Sequence, residues 1–346
     1  MDRGDETLSL RRILTGLAIL AAMLVAVFLI LRTPDTDRRA MIVKYGAPPS
    51  RFVILRPGLT VHYRDEGPRD APVVMLLHGS NADLHTWDVW SADLVRDHRV
   101  ICFDQIGHGL TGADPAGDYK PQTFSDDVER MADKLGVGRF VLAGNSMGGG
   151  IALRFGLAHP ERLDGLVLLD SGGAPRLGKP AGNIGFALAR NPVGSWLMTR
   201  ITPRSIVAKS LHQTVSNQAI VSKAMIDRYW ELLRFPGNRA ATVVRFSQPI
   251  TPFAADRLTK LPMPVLIQWG ADDPLIPLAA GQWLHRAIPG SRMIVYPNIG
   301  HIPMEEAAAR SVADLRGWLS ALPATGRDAG GATRAAPRVD AARALP

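Results

Sequence analysis

Hydrophobic and polar positions divide the chain into stretches of different period. Residues 13–31 carry no charge and lie between Arg11-Arg12 and Arg32. At about 1.5 Å per residue this run nearly matches a bilayer core, so it predicts a transmembrane helix. A cleaved signal has a shorter apolar region, about 7–15 residues, followed by a small-x-small site. Here Leu29-Ile-Leu-Arg32 follows instead, and an uncleaved anchor is expected. The arginine pair lacks the preceding Ser or Thr and the usual following residues of a twin-arginine export signal. From Arg51 onward short apolar runs alternate with longer stretches of helical period, as a sheet buried on both faces requires. Residues 52–55 and 59–63 read as an opening hairpin around Pro57-Gly58. Residues 73–77, 100–103, 140–143, 166–169, 265–269 and 293–296 read as further strands. Helices are expected near 86–95, 123–135, 147–158, 278–287 and 305–321. The pattern predicts an α/β fold, with a mostly parallel central sheet flanked by helices.

Between Ser171 and Pro262 no convincing strand occurs, over a length of about ninety residues that exceeds any ordinary loop of a compact domain. Residues 182–190, 193–200 and 220–234 have helical period, so a helical cap is expected between the sixth and seventh strands. After residue 323 the chain turns to Ala, Gly, Arg and Pro without apolar periodicity, and a disordered tail is expected. The resulting division is an anchor at 1–32, a core at 33–171, the cap at 172–262, the rest of the core at 263–323 and the tail at 324–346.

Composition narrows the class. With 346 residues, 46% hydrophobic and 21% charged, the chain is not disordered as a whole, and its 33 Gly and 26 Pro follow no collagen-like period. The single cysteine, Cys102, excludes an internal disulfide framework and any thiolate metal cluster. It sits in Arg99-Val-Ile-Cys-Phe103 as a buried strand residue would. The net charge of +8 comes from scattered basic residues with no nucleic-acid module, so no nucleic-acid partner is expected. A bilayer contacted through residues 13–31 is the expected partner, and anionic lipid suits the charge. No obligate protein partner is evident. Arg3, Arg11 and Arg12 on one side face Arg32, Arg38, Arg39 and Lys44 on the other, so charge counting does not choose an orientation. Because long domains translocate largely regardless of charge, the main domain is expected outside the cytoplasm, on the periplasmic side in a bacterium.

The chemistry begins at Gly144-Asn-Ser-Met-Gly148, which follows an expected strand and opens an expected helix, the context of a nucleophile elbow. A serine is a weak nucleophile at neutral pH unless a base removes its proton, so Ser146 demands a histidine and a carboxylate that orients it. His301, in Asn298-Ile-Gly-His-Ile-Pro303, follows the last expected strand. His62, His85, His98, His159, His212 and His285 lack such a setting. Three carboxylates follow strands: Asp272 and Asp273 in Trp269-Gly-Ala-Asp-Asp-Pro-Leu-Ile-Pro277, and Asp170 after Leu166-Val-Leu-Leu.

With these motifs in this order, the sequence resembles the α/β-hydrolase superfamily, its serine-nucleophile, capped esterase and lipase-like branch, over residues 51–322. The resemblance implies a catalytic set of Ser146, Asp273 and His301, since the family's acid is the last of the Gly-Ala-Asp-Asp run. Leu76-Leu-His-Gly-Ser80 resembles the family's oxyanion loop, which implies the backbone N–H groups of Ser80 and Met147 as the oxyanion donors and His78 as a brace. Asp104-Gln-Ile-Gly-His-Gly-Leu-Thr111 resembles a structural segment of the family, with Thr111 in place of Ser. A serine rather than an aspartate at the elbow disfavours haloalkane and epoxide hydrolysis. Ester hydrolysis, carbon–carbon hydrolysis of ring-fission products and cofactor-free peroxidation remain, and a non-catalytic binding module is the reading of another class. Asn145, Met147 and Gly149-Gly-Ile-Ala-Leu resemble the carbon–carbon hydrolases. Those usually carry tryptophan after the histidine and a more Gly-rich oxyanion loop, where this chain has Ile302 and Ser80-Asn-Ala-Asp83. The expectation is therefore a carboxylic-ester hydrolase working through an acyl-enzyme, without metal or organic cofactor, on a small-molecule ester that is uncharged and fairly hydrophobic. In the cap, Trp196, Tyr229, Trp230, Phe235 and Phe246 are candidates for either a pocket lining or a packed core. Arg190, Arg228 and Arg234 are the candidates to hold a substrate carboxylate if carbon–carbon chemistry applies.

Overall fold

Eight strands form one sheet in the order β1-β2-β4-β3-β5-β6-β7-β8. The structure is a computed structural model that describes residues 3–177, 188–249 and 251–323, with the backbone alone for 3–10. The strands are β1 (Arg51–Arg56), β2 (Leu59–Glu66), β3 (Val73–Leu77), β4 (Arg99–Phe103), β5 (Phe140–Asn145), β6 (Leu163–Leu169), β7 (Val265–Gly270) and β8 (Arg292–Tyr296). β1 and β2 form an antiparallel hairpin, β2 runs antiparallel to β4, and every other pairing is parallel. Period-two alternation splits β3 between two cores. Met75 and Leu77 pack in the cluster that includes Phe124, Val128, Ile151 and Leu284, while Val74 and Leu76 pack with Trp90, Leu94, Val312 and Trp318 on the other face. Strand order reverses at β3, which has β4 on one side and β5 on the other. The crevice at the carboxyl ends of β3 and β5 is therefore where such a sheet receives ligands.

The helices are α1 (Arg3–Leu31), α2 (Arg38–Tyr45), α3 (Asp88–Leu94), α4 (Pro121–Lys134), α5 (Met147–Ala158), α6 (Pro192–Met198), α7 (Arg204–Thr214), α8 (Lys223–Leu233), α9 (Asn238–Ser247), α10 (Ala255–Leu258), α11 (Leu278–Ala287), α12 (Pro303–Glu306) and α13 (Ala308–Leu319). Helices α6–α9 lie between β6 and β7, where the cap was expected. The helix expected at 182–190 falls outside the described residues except for its last three positions, and the tail falls outside them entirely. Two expectations need correction. The single helix at 305–321 is two, because Ala307 leaves the helical region at φ −127° and ψ 39°. The helix near 86 begins with a 3-10 turn, Leu84–Trp87, capped by the Asp83 side chain.

The apolar N-terminal helix is long enough to cross a membrane, and none of the stretch Arg11–Leu31 is buried against the protein. Its exit is tied to the cap rather than to the sheet. Phe28 stacks on Trp196 of α6 with centroids 5.0 Å apart, and the Thr33 amide donates to the Arg200 carbonyl at 2.8 Å. Arg239 of α9 reaches back to the Thr33 carbonyl at 2.8 Å and to Asp35 at 2.6 Å. Lys44 and Tyr45 of α2 both bond to Glu231 of α8.

Candidate active site

The turn between β5 and α5 places Ser146 at φ 55° and ψ −116°, a conformation costing about 1–3 kcal/mol that persists only when its surroundings enforce it. They do so here. The Ser146 amide donates to the Leu169 carbonyl at 2.9 Å, and the Ser146 carbonyl accepts from Gly172 at 2.8 Å and Gly150 at 3.2 Å. A Cβ at Gly148 would lie 2.7 Å from the His78 carbonyl oxygen, and one at Gly149 would lie 2.6 Å from Ser171 Cβ, so strand, loop and helix meet only because these positions carry no side chain. Ser146 is partly exposed.

His301 follows β8 and is buried, with Nδ1 2.7 Å from Asp273 Oδ2. The other Asp273 oxygen accepts from the Leu275 and Ile276 amides at 2.7 and 3.0 Å, which fixes the carboxylate before it meets the ring. Asp272 is exposed and does not join this arrangement. Asp170 lies behind it, fully buried at φ 41°, and accepts from the Gly270 amide at 2.9 Å. Burial first, then the neighbouring Asp273 charge, pushes the Asp170 carboxyl well above the usual carboxylate range. Asp170, Asp273 and His301 each bring one polar atom within 4.8 Å of the others, a potential metal-holding group among the described residues. The His301–Asp273 hydrogen bond already occupies two of its three members.

Two residues that sequence reasoning gave no such part position the histidine loop. Asn145 Nδ2 donates to the His301 carbonyl at 3.0 Å, clipping the loop beside the elbow. Glu306 accepts from the Gly300 amide at 2.8 Å and from Ser216 and Asn217 at the end of α7, while the His301 amide donates to the Thr214 carbonyl at 2.9 Å. The cap thus grips the loop directly. Ser146 Oγ and His301 are not hydrogen-bonded to each other, a contact that commonly tightens only when substrate binds.

The β3 loop lies against the elbow, since a Cβ at Gly79 would stand 3.2 Å from that of Ser146. Neither the Ser80 nor the Met147 amide donates a hydrogen bond among the described residues. Buried or half-buried amides are rarely left so, and a pair beside a strained serine suits a developing negative charge. His78 braces the loop: its Nε2 accepts from the Gln105 amide at 3.0 Å, and Nδ1 lies 2.8 Å from the Gly79 carbonyl. Burial holds the imidazole below its ordinary pKa, in the neutral form this acceptor role needs. Asp104 accepts from the Leu84 and Leu110 amides and contacts His62 Nδ1 at 2.7 Å, so its segment is structural, as the resemblance implied.

The cap candidates divide. Phe235 is fully buried with Met41, Leu110 and Leu232, Tyr229 is buried and donates to Glu305, and Trp196 is exposed against Phe28. Arg228 is paired with Glu305 at 2.8 Å, and Arg234 lies 3.6 Å over Trp230 and bonds to the Pro34 carbonyl. The cap arginine at the oxyanion loop is Arg245 of α9, whose Nη1 donates to Ser80 Oγ at 2.6 Å. A groove of about 430 Å³ between α2 and α8, lined by Tyr45, His85, Met225, Arg228 and Glu305 among others, contains none of the residues of the elbow or the histidine loop.

The chain is 30% identical over 267 residues to a 2-hydroxy-6-oxononadienedioate/2-hydroxy-6-oxononatrienedioate hydrolase of Pseudomonas putida, covering 74% of this chain and 91% of that protein. Among solved structures, a thermophilic esterase of Thermogutta terrifontis superposes with a TM-score of 0.67 at 26% identity, over 79% of this chain and 98% of that one. A bacterial membrane phospholipase A shares the fold with a TM-score of 0.71 at 22% identity, over 91% of this chain and all of that one. A family model for the alpha/beta hydrolase fold matches residues 72–308, well over half of the sequence, and the chain belongs to the α/β-hydrolase superfamily.

Proposed function

We propose that this protein hydrolyses carboxylic esters through a Ser146–His301–Asp273 triad. The observation that carries the reading is the His301–Asp273 pair, clipped by Asn145 beside a strained serine and two unpartnered amides. Ser146 Oγ attacks the ester carbonyl while His301 Nε2 takes its proton, and Asp273 holds the Nδ1–H tautomer and stabilises the imidazolium. The carbonyl oxygen, now an alkoxide, rests on the Ser80 and Met147 amides, each worth about 100- to 1,000-fold in rate. The intermediate collapses as His301 protonates the departing alcohol. Water, deprotonated by His301, then attacks the acyl-enzyme, and the second intermediate collapses as the bond to Ser146 Oγ breaks, His301 returns the proton to Oγ and the acid departs. Every step uses groups of this chain.

The 30% identity to a protein named for dienedioate hydrolysis favours carbon–carbon cleavage as the second reading, and Ile302 and the Ser80-Asn-Ala-Asp83 loop weigh against it. Kinetics on purified protein separate the two. The best p-nitrophenyl ester is expected to exceed a 2-hydroxy-6-oxo-dienoate in kcat/KM, and a dienoate about tenfold or more above that ester would reverse the assignment.

Residues 13–31 are proposed as an uncleaved anchor, with the hydrolase domain outside the cytoplasm and the cap held at the membrane by its contacts to the segment after α1. The full chain is expected to stay in carbonate-washed membranes. A shortened soluble form starting near residue 33 would identify the segment as a cleaved signal instead.

A further inference from the structure

Arg245 is the cap's contribution to the corner where the proposed oxyanion forms. Its Nη1 donates to Ser80 Oγ at 2.6 Å and lies 3.4 Å from Met147 Sδ, and its Nη2 donates to Asn81 Oδ1 and Thr242 Oγ1, both at 3.0 Å. Ser80 and Met147 are the two residues whose amides are assigned to the oxyanion. All four partners are neutral. No carboxylate among the described residues comes within 4.0 Å of this guanidinium, whereas Arg204, Arg228 and Arg239 of the same cap are each paired with an acid. Arg245 Nε is buried and, like the Nε atoms of Arg234 and Arg239, has no hydrogen-bond partner among the described residues. Burial pulls the group down to about 9, which still leaves it a cation at neutral pH.

A half-buried cation without a counter-charge is costly, and hydroxyl and amide oxygens compensate it only in part. Such a group persists where function uses it. A guanidinium presents a planar fork that matches the two oxygens of a carboxylate or phosphate, and it binds either more strongly than it binds neutral acceptors. The geometry points to Arg245 as the receptor for an anionic oxygen group, carboxylate or phosphodiester, that the substrate carries a few bonds from its scissile carbonyl. This deepens the ester-hydrolase reading and rests on it. It replaces the uncharged ester expected from sequence with one that joins an anion to its apolar part, and it makes an arginine absent from the sequence candidates the specificity residue.

The test uses the full chain in detergent and three probes: p-nitrophenyl butyrate, mono-p-nitrophenyl succinate and 1-acyl-lysophosphatidylglycerol. Wild type is expected to favour at least one anionic probe over the butyrate in kcat/KM. Arg245→Gln should lower the ratio of kcat/KM on that probe to kcat/KM on the butyrate by about 100-fold, and Arg245→Lys should recover part of that ratio. A response to succinate alone assigns a carboxylate, and a response to the lysolipid alone assigns a headgroup phosphate. Equal losses on neutral and anionic esters, or a wild-type preference for butyrate, overturn the receptor while leaving ester hydrolysis standing. A structural strut is separated by melting: Arg245→Met should raise Tm, because it removes a half-buried charge without a counter-charge, and a fall in Tm together with equal losses assigns Arg245 to support alone. Binding is read without turnover in Ser146→Ala, where the anionic probes should raise Tm and Arg245→Gln should abolish the rise. No Arg245-dependent shift from either anion sinks the proposal, whether or not any ester is cleaved.

Discussion

Replacing Ser146 by alanine is expected to lower ester turnover by about a millionfold, the scale seen when the nucleophile of a serine triad is removed, and to abolish labelling by a fluorophosphonate. The effect is this large because the triad acts as a unit: without Oγ, His301 and Asp273 have no proton to move. The substitution is a clean probe. Ser146 Oγ makes no hydrogen bond to described residues, and the backbone bonds that enforce the elbow, Ser146 to Leu169 and Gly172 to Ser146, involve no side-chain atom. About 1,000- to 10,000-fold acceleration over water should survive, supplied by the oxyanion donors and binding. Labelling of the variant equal to wild type would place the nucleophile elsewhere.

Asp273→Asn is expected to cost about 10,000-fold in kcat, because an amide facing His301 Nδ1 stabilises the wrong tautomer. Its own geometry sharpens the effect. Asp273 Oδ1 already accepts two amides, so an asparagine that keeps its oxygen there must turn its NH₂ toward the ring. Asp170→Asn is the contrast, since asparagine closely matches a carboxyl group in shape and keeps an oxygen for the Gly270 amide; activity should fall by no more than about tenfold. Stability gives a second readout. The folded pKa of Asp170 lies well above the 3.8 of an ordinary aspartate, so over that range the folded state keeps a proton that the unfolded chain releases. Stability from this group is full below 3.8 and declines as pH rises toward the folded value. The Tm of wild type should therefore drop more between about pH 5 and 8 than that of Asp170→Asn. A 10,000-fold loss confined to Asp170→Asn would move the acid to the end of β6.

Much of the sheet was legible in the sequence. The run 73–77 is β3 and the period at 278–287 is α11 without adjustment, because continuous apolar runs and 3.6-residue spacing record burial within a few residues of themselves. The elbow was legible for the same reason: its glycines are demanded by contacts within the turn and the loop beside it. Helices α7 and α9 were missed, since each buries few apolar positions, Val207 and Leu211 in one and Ala241 in the other.

By itself the sequence determined the α/β class, the anchor-length helix, Ser146 at its turn and a short set of acids. The tertiary structure shows which of those acids meets His301. Asp273 and Asp272 are neighbours with the same local signal, yet the turn to Ile276 buries one against His301 and leaves the other in solvent. Arg245 meets Ser80 across 165 residues, and Thr33 meets Arg200 across 167. No periodicity records such meetings, because they depend on where loop closure and core packing bring distant segments together, and local pattern reports only which face of each segment is buried.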